Sequence, residues 1–386
     1  MLNDDVLYGK TILPTGIRSR FVDNNNGCSM HVLEAGFEIP GRPCIVLLHG
    51  FPELAFSWRK QILYLAEAGF YVVAPDQRGY GRSSGTDVVF DDDLRPYTLI
   101  NHVSDTLGLV AALGYTRVAA VVGHDYGSPV AAWCALVRPD VFQSVVMMSA
   151  PFGGPPAFPL NTVNMPQRKA SGVSITDDLA ALPRPRKHYW WYYSTREANA
   201  DMLHGSQGVH DFLRAYYHFK SGDWLQNKPF PLAAWTASEL AKMPTYYIMD
   251  LAMGMGETVE REMPSGAEIA ACRWLTNEEL RVYSSEYART GFQGGLQTYR
   301  VATDPTFSSE LRAFSGRTID VPACFISGAL DWGVYQVPGA LGMMENRACQ
   351  QQVSIHLVED AGHWVQQEKP DLVNELLLKF LEQMSF

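Results

Sequence analysis

The stretch Val118–Trp133, which reads VAAVVGHDYGSPVAAW, constrains the fold of this chain more than any other segment. The apolar run Val118–Val122 predicts a buried strand that breaks at the next glycine, and the small residues of Ser128–Ala135 predict a helix. Between them, G-H-D-Y-G places Asp125 at the centre of a G-x-[nucleophile]-x-G pattern, which is typical of a strained turn between strand and helix. The flanking glycines are expected to keep side chains away from the nucleophile. The alternative is a plain loop with a capping aspartate.

An aspartate at the nucleophile position decides which chemistry such a turn supports. A carboxylate is a poor nucleophile toward an ordinary ester or amide, but it can attack an sp3 carbon and form an alkyl ester with the enzyme. Water must then cleave that ester, and this step needs a general base. The rest of the chain must therefore supply a histidine and a carboxylate that orients it.

Apolar runs alternate with helical patterns on both sides of this stretch. Near-continuous apolar strands separated by helices predict an α/β fold with a mostly parallel sheet covered on both faces. The turn Asn24–Gly27 between two short segments predicts a hairpin at the sheet edge. The other predicted core strands are Cys44–Leu48, Tyr71–Pro75, Ser144–Met148, Val321–Ser327 and Val353–Val358.

The amino-acid composition of the chain changes after Pro151. A segment rich in proline, glycine and small polar residues is followed by a helical, aromatic region that extends to Arg300. We expect residues 1–151 and 316–386 to form the two parts of one α/β core, and residues 152–315 to form a helical lid. Because the active sites of open α/β sheets lie at the carboxyl ends of the strands, an insertion after such an end is expected to cover the site.

His363 is the candidate general base. It follows the predicted strand Val353–Val358 and precedes the last helix, which matches the late histidine in the order nucleophile, acid, histidine. His124 is next to Asp125, but its side chain is expected to point away from the turn. His49 belongs to the HGFPE turn, so we expect both of these histidines to be structural.

Asp331 is the candidate for the carboxylate that orients the base, because it lies just after the predicted strand Val321–Ser327. Asp360 is a competitor, but it is close to the base in sequence and is expected to cap a local turn. Asp76 is another alternative, although its D-x-R-G-x-G setting favours a role in fixing a loop.

Two backbone N–H groups are expected to face the oxyanion that forms when the ester is hydrolysed. The turn assigns one donor to the residue after the nucleophile, Tyr126. The other belongs to the loop after Leu48 and is assigned to Phe51, since Pro52 has no N–H.

Five sequence blocks now carry a close resemblance, in order, to one enzyme family. The blocks are HGFPE at His49–Glu53, DQRGYGRSS at Asp76–Ser84, GHDYG at Gly123–Gly127, GALDW at Gly328–Trp332 and GHWVQQEKP at Gly362–Pro370. In these blocks the chain resembles the epoxide hydrolases of the α/β-hydrolase fold, which use an aspartate nucleophile and include the soluble epoxide hydrolases. The resemblance implies hydrolysis of an epoxide to a vicinal diol through an ester on the nucleophilic aspartate, with no metal or organic cofactor.

The resemblance also reaches the lid. In this family, two lid tyrosines hold the epoxide oxygen and protonate it as the ring opens. The block GGLQTYR implies that Tyr299 is one of them, and HYWWYYSTREANADM implies Tyr189 as the other. Tyr192 and Tyr216 are rivals for the second position, and ordinary aromatic packing is the alternative for each single tyrosine.

Two departures from the family pattern bear on the substrate. Tyr126 stands where many relatives have tryptophan, the residue with which the related haloalkane dehalogenases hold halide. This departure weighs against the alternative of a haloalkane or haloacid dehalogenase. Trp190 stands where many relatives have glutamine, so the shape of the pocket is expected to differ. A third alternative, a non-catalytic ligand-binding homologue, is disfavoured because Asp125, Asp331 and His363 are all present.

Composition narrows the partners and the compartment. The formal net charge of −10 comes with no basic stripe, which argues against nucleic acid or an anionic membrane as a partner. No apolar run reaches the length of a membrane span, and Met1–Val6 is acidic where a signal peptide would be basic. The six cysteines are dispersed and are expected to be reduced thiols, so we expect a cytoplasmic protein. The expected partners are a small apolar epoxide and water, and a homodimer is one alternative for the oligomeric state.

Overall fold

One eight-stranded sheet forms the core of the protein, and two more strands pair outside it. The structure is a computed structural model that describes residues 12–158 and 174–384. Its strands are β1 (Arg18–Asp23), β2 (Ser29–Ala35), β3 (Cys44–Leu48), β4 (Tyr71–Pro75), β5 (Ala120–His124), β6 (Val145–Met148), β7 (Arg186–His188), β8 (Ile248–Asp250), β9 (Ala323–Gly328) and β10 (Ser354–Val358).

The large sheet has the order β1-β2-β4-β3-β5-β6-β9-β10. The pairs β1–β2 and β2–β4 are antiparallel, and the remaining pairs are parallel. The α/β fold with a mostly parallel sheet is therefore confirmed. The hairpin around Asn24–Gly27 is confirmed as well, because β1 and β2 flank it and β1 is an edge strand.

Both faces of this sheet are covered by some of the sixteen α-helices that the described residues form. They are α1 (Arg59–Glu67), α2 (Leu99–Ala112), α3 (Gly127–Val137), α4 (Ile175–Ala180), α5 (Tyr189–Tyr193), α6 (Glu197–His204), α7 (Gly208–Lys220), α8 (Ala237–Leu240), α9 (Met255–Glu260), α10 (Gly266–Ala271), α11 (Asn277–Thr290), α12 (Gln293–Thr303), α13 (Ser308–Leu311), α14 (Ala340–Met343), α15 (Val365–Glu368) and α16 (Pro370–Leu381). Alternate residues of β3 show the two faces: Ile45 and Leu47 share a cluster with α1 and α16, whereas Val46 and Leu48 share one with α2 and α3.

Four predicted strands differ from the observed ones in their ends, β6 and β10 by one residue and β5 and β9 by more. β5 continues through Gly123 and His124 instead of ending before them, because these residues pair with Leu48 of β3 and Met148 of β6. β9 begins two residues later than predicted, after Pro322, which has no N–H to donate to a neighbouring strand.

The elements α4 to α13, together with the small antiparallel pair β7–β8, lie in the chain between β6 and β9. The helical character predicted for this region is confirmed, whereas its two short strands were not predicted. The boundaries 151/152 and 315/316 stay predictions. Residues 159–173, next to the first boundary, and the acidic Met1–Val6 lie outside the described residues.

All six cysteines lie in the described part of the chain and are unpaired. Five of them are buried, and Cys272 is partly exposed, so reduced thiols are the form that this fold accommodates. Within residues 12–158 and 174–384, no helix combines the length and the apolar character that crossing a membrane requires.

Glu34 ties the hairpin to the sheet. Its carboxylate in β2 is fully buried and accepts hydrogen bonds from Arg18 Nε at 2.6 Å, from Arg20 Nε at 2.5 Å and from the Tyr71 hydroxyl. Burial by itself raises the pKa of Glu34, but the hydrogen bonds from Arg20, Tyr71 and Arg18 outweigh it and leave the pKa below its ordinary value of 4.5.

We predict that Glu34→Gln lowers the free energy of unfolding at pH 7 by about 1–3 kcal/mol, because it weakens three charge-assisted hydrogen bonds. The pKa is lower in the folded state, so the carboxylate's contribution is complete above about pH 4.5 and declines as the pH falls through the folded-state pKa. The difference in free energy of unfolding between parent and variant should therefore become smaller in urea titrations at successively lower pH. Glu257→Gln, in an exposed pair with Arg261, is the control and should change little. A gap that does not depend on pH would contradict the prediction.

Candidate active site

Asp125 lies on a sharp turn between β5 and α3. Its φ of 51° falls in the left-handed region, which residues other than glycine rarely adopt. A Cβ atom on Gly123 would lie 1.9 Å from the carbonyl oxygen of Gly127, and one on Gly127 would lie 2.2 Å from that of Leu48. The predicted strand, turn and helix are confirmed. The two glycines were expected to keep side chains away from the nucleophile, whereas in the structure they are needed because backbone carbonyl groups pass close to them.

Asp125, His363 and Asp331 form a continuous line of polar contacts. Oδ2 of Asp125 lies 3.3 Å from Nε2 of His363. On the other side of the imidazole, Nδ1 lies 3.1 and 3.2 Å from the two carboxylate oxygens of Asp331. His363 and Asp331 are buried, and Nε2 of His363 makes no aligned hydrogen bond within the part of the chain that the structure describes. The three residues that were selected by their order along the chain are thus in contact in the structure, with the imidazole between the two carboxylates.

The backbone N–H of Phe51 donates to Oδ1 of Asp125 at 2.9 Å. The two oxygens of this carboxylate are therefore in different environments, since Oδ1 is held by an amide and Oδ2 faces the histidine. Tyr126 directly follows Asp125 and leads into α3. The role of its N–H as a second donor stays a prediction.

Glu53 joins the loops that carry these groups. Its buried carboxylate accepts hydrogen bonds from Gly50 N at 2.9 Å and from Gln366 Nε2 at 2.9 Å, and it lies 2.6 Å from Nδ1 of His124. Nε2 of His124 lies 2.7 Å from the carbonyl oxygen of His363. Both nitrogens of His124 therefore face acceptors, which favours the imidazolium form; burial lowers its pKa, but the charge of Glu53 outweighs burial and raises the pKa overall. A structural role for His124 is what this geometry supports.

The remaining alternatives from the sequence occupy other positions. His49 Nδ1 lies 2.9 Å from the carbonyl oxygen of Gly50, and its Nε2 accepts from the N–H of Gln77. Asp76 accepts from the N–H of Ala55 at 2.8 Å and contacts a buried histidine, which is a loop-fixing role. Asp360 is exposed and has a left-handed φ of 54°. None of these three occupies the position beside His363 that Asp331 takes.

A cavity of about 250 Å³ opens beside Asp125. Tyr189 and Tyr299 both line it, and their ring centroids are 5.9 Å apart. The Tyr189 hydroxyl donates to Oε1 of Gln336 at 3.1 Å. Most of the remaining wall is apolar and comes from Leu99, Pro129, Trp190, Val301, Phe307 and Leu311.

The two rival tyrosines are engaged elsewhere. The hydroxyl of Tyr192 donates to Asp201 at 2.6 Å, and the hydroxyl of Tyr216 accepts from Tyr193 at 3.2 Å. Neither is part of the cavity wall. Geometry therefore favours Tyr189 as the partner of Tyr299. Trp190 lies in the wall, as expected for a residue that shapes the pocket.

Comparison with known proteins gives one consistent result. Residues 43–249 match the alpha/beta hydrolase fold family. Epoxide hydrolase B of Mycobacterium tuberculosis is 32% identical over 367 residues, which cover 93% of this chain and 96% of that protein. Epoxide hydrolase 2 of Siraitia grosvenorii is 29% identical, with 93% and 96% covered. The structure of an epoxide hydrolase from an endophytic Streptomyces superposes with a TM-score of 0.76 at 32% identity and covers 96% of each chain.

This chain belongs to the epoxide hydrolase family of the α/β-hydrolase fold.

The ionisation of the site is suited to the chemistry of that family. Burial raises the pKa of Asp125, but the hydrogen bond and charge of His363 and the charges of Lys220 and His124 outweigh burial, so the pKa lies well below the ordinary value. Burial also raises the pKa of Asp331, and His363 again brings it below the ordinary value. For the two cavity tyrosines, burial is the larger cause and the charge of Asp125 the next, and together they raise the pKa of each phenol well above 10. At neutral pH the site thus holds ionised carboxylates opposite protonated phenols.

Sequence reasoning missed Ser149 in this epoxide hydrolase family member. Its hydroxyl donates to Oδ2 of Asp331 at 2.5 Å and lies 2.8 Å from Nδ1 of His363. It directly follows β6, and its φ of 68° is left-handed, like that of Asp125. A polar residue immediately after the apolar run SVVMM was the available signal, but a serine cannot supply the carboxylate that orients a base, so nothing in the sequence distinguished it.

We predict that Ser149→Ala slows hydrolysis of the ester, and therefore lowers kcat for an epoxide, by about 10–100-fold. The reason is that a hydrogen bond to a charged group contributes about 1.5–3 kcal/mol, here to the orientation of Asp331 and the base. Steady-state kinetics measure the effect, and thermal unfolding separates it from loss of the fold. Ser128→Ala is the matched control, because that buried hydroxyl donates to the carbonyl oxygen of Ala150 and touches no member of the triad. An unchanged kcat in folded Ser149→Ala would disprove the role.

Proposed function

We propose that the protein hydrolyses an epoxide to a vicinal diol through an alkyl ester on Asp125. The observation that carries this proposal is the arrangement around one cavity. It combines an ionised carboxylate within 3.3 Å of an imidazole with two phenols in the same wall. A triad alone would serve many hydrolases, whereas the paired phenols supply what an epoxide requires, namely donors for an alkoxide leaving group.

In the first step, Oδ2 of Asp125 attacks an epoxide carbon and the carbon–oxygen bond of the ring breaks. Oδ1 is already held by the N–H of Phe51 and becomes the carbonyl oxygen of the ester. Tyr189 and Tyr299 donate hydrogen bonds to the ring oxygen, and one phenol transfers its proton as negative charge develops there. Because burial raises the pKa of both phenols, each of them holds its proton until the epoxide oxygen becomes basic.

In the second step, water attacks the ester carbonyl and gives a proton to Nε2 of His363. Asp331 accepts from Nδ1 of the imidazole and stabilises the imidazolium that forms. The oxyanion on Oδ1 is stabilised by the N–H of Phe51, and we assign the second donor to Tyr126. Collapse of this intermediate breaks the bond to the substrate oxygen, which takes the proton from the His363 imidazolium and leaves as the diol. The proton that remains on the Asp125 carboxyl returns to the phenolate left by the first step, and the Asp125 carboxylate is regenerated.

The cavity supports a small apolar epoxide as the substrate, with water as the second reactant, since aliphatic and aromatic side chains form most of its wall. Free cysteines throughout the described chain support the proposal that the protein acts in the cytoplasm. A homodimer stays a prediction from the sequence.

Trapping the ester tests the proposed mechanism. We predict that His363→Gln still reacts with an epoxide but accumulates a covalent adduct, because the base for the second step is missing. Peptide mass spectrometry should find the adduct on the peptide containing Asp125, with an added mass equal to that of the whole epoxide. Asp125→Asn combined with His363→Gln is the control and should acquire no adduct. Turnover by the parent protein without an adduct in His363→Gln would exclude the covalent route, and release of halide without turnover of epoxides would favour a dehalogenase.

A second test concerns the phenols. We predict that Tyr189→Phe and Tyr299→Phe each slow ester formation by about 10–1,000-fold, since each removes a donor to the developing alkoxide. Single-turnover stopped-flow kinetics measure this step separately from hydrolysis. Tyr192→Phe is the matched control, because its hydroxyl donates to Asp201 outside the cavity, and it should keep the parent rate. A large loss in Tyr192→Phe with none in Tyr189→Phe would reverse the assignment.

A further inference from the structure

Lys220, the last residue of α7, is a buried lysine close to the site. Its side chain is enclosed by aromatic rings, since Nζ lies 5.0 Å from the ring centroid of Tyr247, 5.3 Å from Tyr216, 5.5 Å from Trp364 and 5.9 Å from Tyr246. Within residues 12–158 and 174–384, these ring contacts are accompanied by no salt bridge to this ammonium. An ammonium without a carboxylate partner is costly to bury, so an enclosure of ring faces needs a reason beyond packing.

The charges that act on this ammonium come from the site. Burial lowers the pKa of Lys220 below its ordinary value, and the charges of Asp125, Asp331 and Glu53, in that order, offset only part of this effect. In the other direction, the charge of Lys220 is one of the factors that lower the pKa of Asp125. The lysine is therefore coupled to both carboxylates of the triad through their charges.

A backbone hydrogen bond joins Lys220 directly to the loop of His363. The carbonyl oxygen of Lys220 accepts from the N–H of His363 at 2.9 Å. Glu368 strengthens the junction, because its carboxylate accepts from the N–H groups of Gly222, Gly362 and Trp364 at 2.8–2.9 Å. The end of α7 and the loop of His363 are thus fastened together at the backbone, which anchors the residue that carries the ammonium next to the triad.

The charge states of the buried groups around the site determine how an ammonium affects proton uptake there. Asp125, Asp331 and Glu53 are carboxylates, His124 is held between acceptors, and His363 must be neutral to accept a proton from water. The tyrosines of the enclosure stay neutral because burial raises the pKa of each of them. The three carboxylates of the free site favour uptake of a further proton, and Asp331 and Glu53 still do so once Asp125 is esterified and uncharged. A proton on His363 would block the second step. A nearby ammonium opposes that uptake.

We propose that Lys220 is a positioning residue that acts through its charge, keeping His363 free to accept a proton from water and thereby setting the lower pH limit of ester hydrolysis. The proposal rests on the proposed epoxide hydrolysis. It differs from a packing role in one measurable way. Methionine has a similar length and is apolar, so it preserves the packing and removes only the charge.

The test compares the pH dependence of kcat in the parent, Lys220→Met and Lys220→Arg. In Lys220→Met, the acid limb should move to higher pH by about one unit, and the ester on Asp125 should accumulate at low pH. Lys220→Arg keeps the charge and should keep the limb in place. Lys187→Met is the matched control, since Lys187 lies 4.4 Å from the ring centroid of Tyr192 and makes the same type of cation–ring contact away from the triad. An unmoved acid limb in folded Lys220→Met would overturn the proposal.

A measurement without substrate separates this inference from the proposed function. Side-chain NMR of the histidines, assigned with His363→Gln, follows proton uptake at the site in the parent and in Lys220→Met. A transition displaced to higher pH in the variant supports the inference about Lys220, whether or not epoxides are turned over. Absence of epoxide turnover by the parent protein would count against the proposed function and not against this inference. A transition that does not move overturns the inference. If Lys220→Met does not fold, Lys220→Gln, which is polar but uncharged, provides the same comparison.

Discussion

The buried carboxylate of Glu53 is the interaction on which the rest of the site depends. It accepts from the loop that carries Phe51, contacts His124 beside the nucleophile and accepts from Gln366 beside the base. Hydrogen bonds to an ionised group in a dry interior are strong, and their loss would leave a charge unpaired. One side chain therefore sets the relative positions of the Phe51 loop, Asp125 and His363, which come from three distant parts of the chain.

The sequence predicted those features that have a local signal. The strands Cys44–Leu48 and Tyr71–Pro75 were predicted to the residue, because a strand buried on both faces is an unbroken apolar run bounded by turn residues. Asp125, Asp331 and His363 could be chosen because each follows such a run, and because the carboxyl ends of parallel strands meet at one edge of the sheet. The order of the three residues along the chain then limited the roles that each could take.

Features that depend on distant neighbours had no such signal. Ser149 meets Asp331 across 182 positions, and Tyr189 meets Gln336 across 147. A serine, a glutamine or a lysine is common in any sequence, so only the folded neighbourhood distinguishes Ser149, Gln336 and Lys220 from others of their kind. The choice between Tyr189 and Tyr192 was open for a related reason. Both lie on the same five-residue helix, and which of them faces the cavity depends on how that helix packs.

The junction between α7 and the loop of His363 has a consequence for protein engineering. Lids of related enzymes are natural units to exchange when a different substrate range is wanted, and the tyrosines are the obvious residues to retain. In this chain, however, the carbonyl oxygen of Lys220 also holds the backbone of the base. A chimera in which the helix that replaces α7 ends at a different position would lose that hydrogen bond. It could still form the ester and yet fail to release the product, so exchange points are better placed outside Lys220–Gly222.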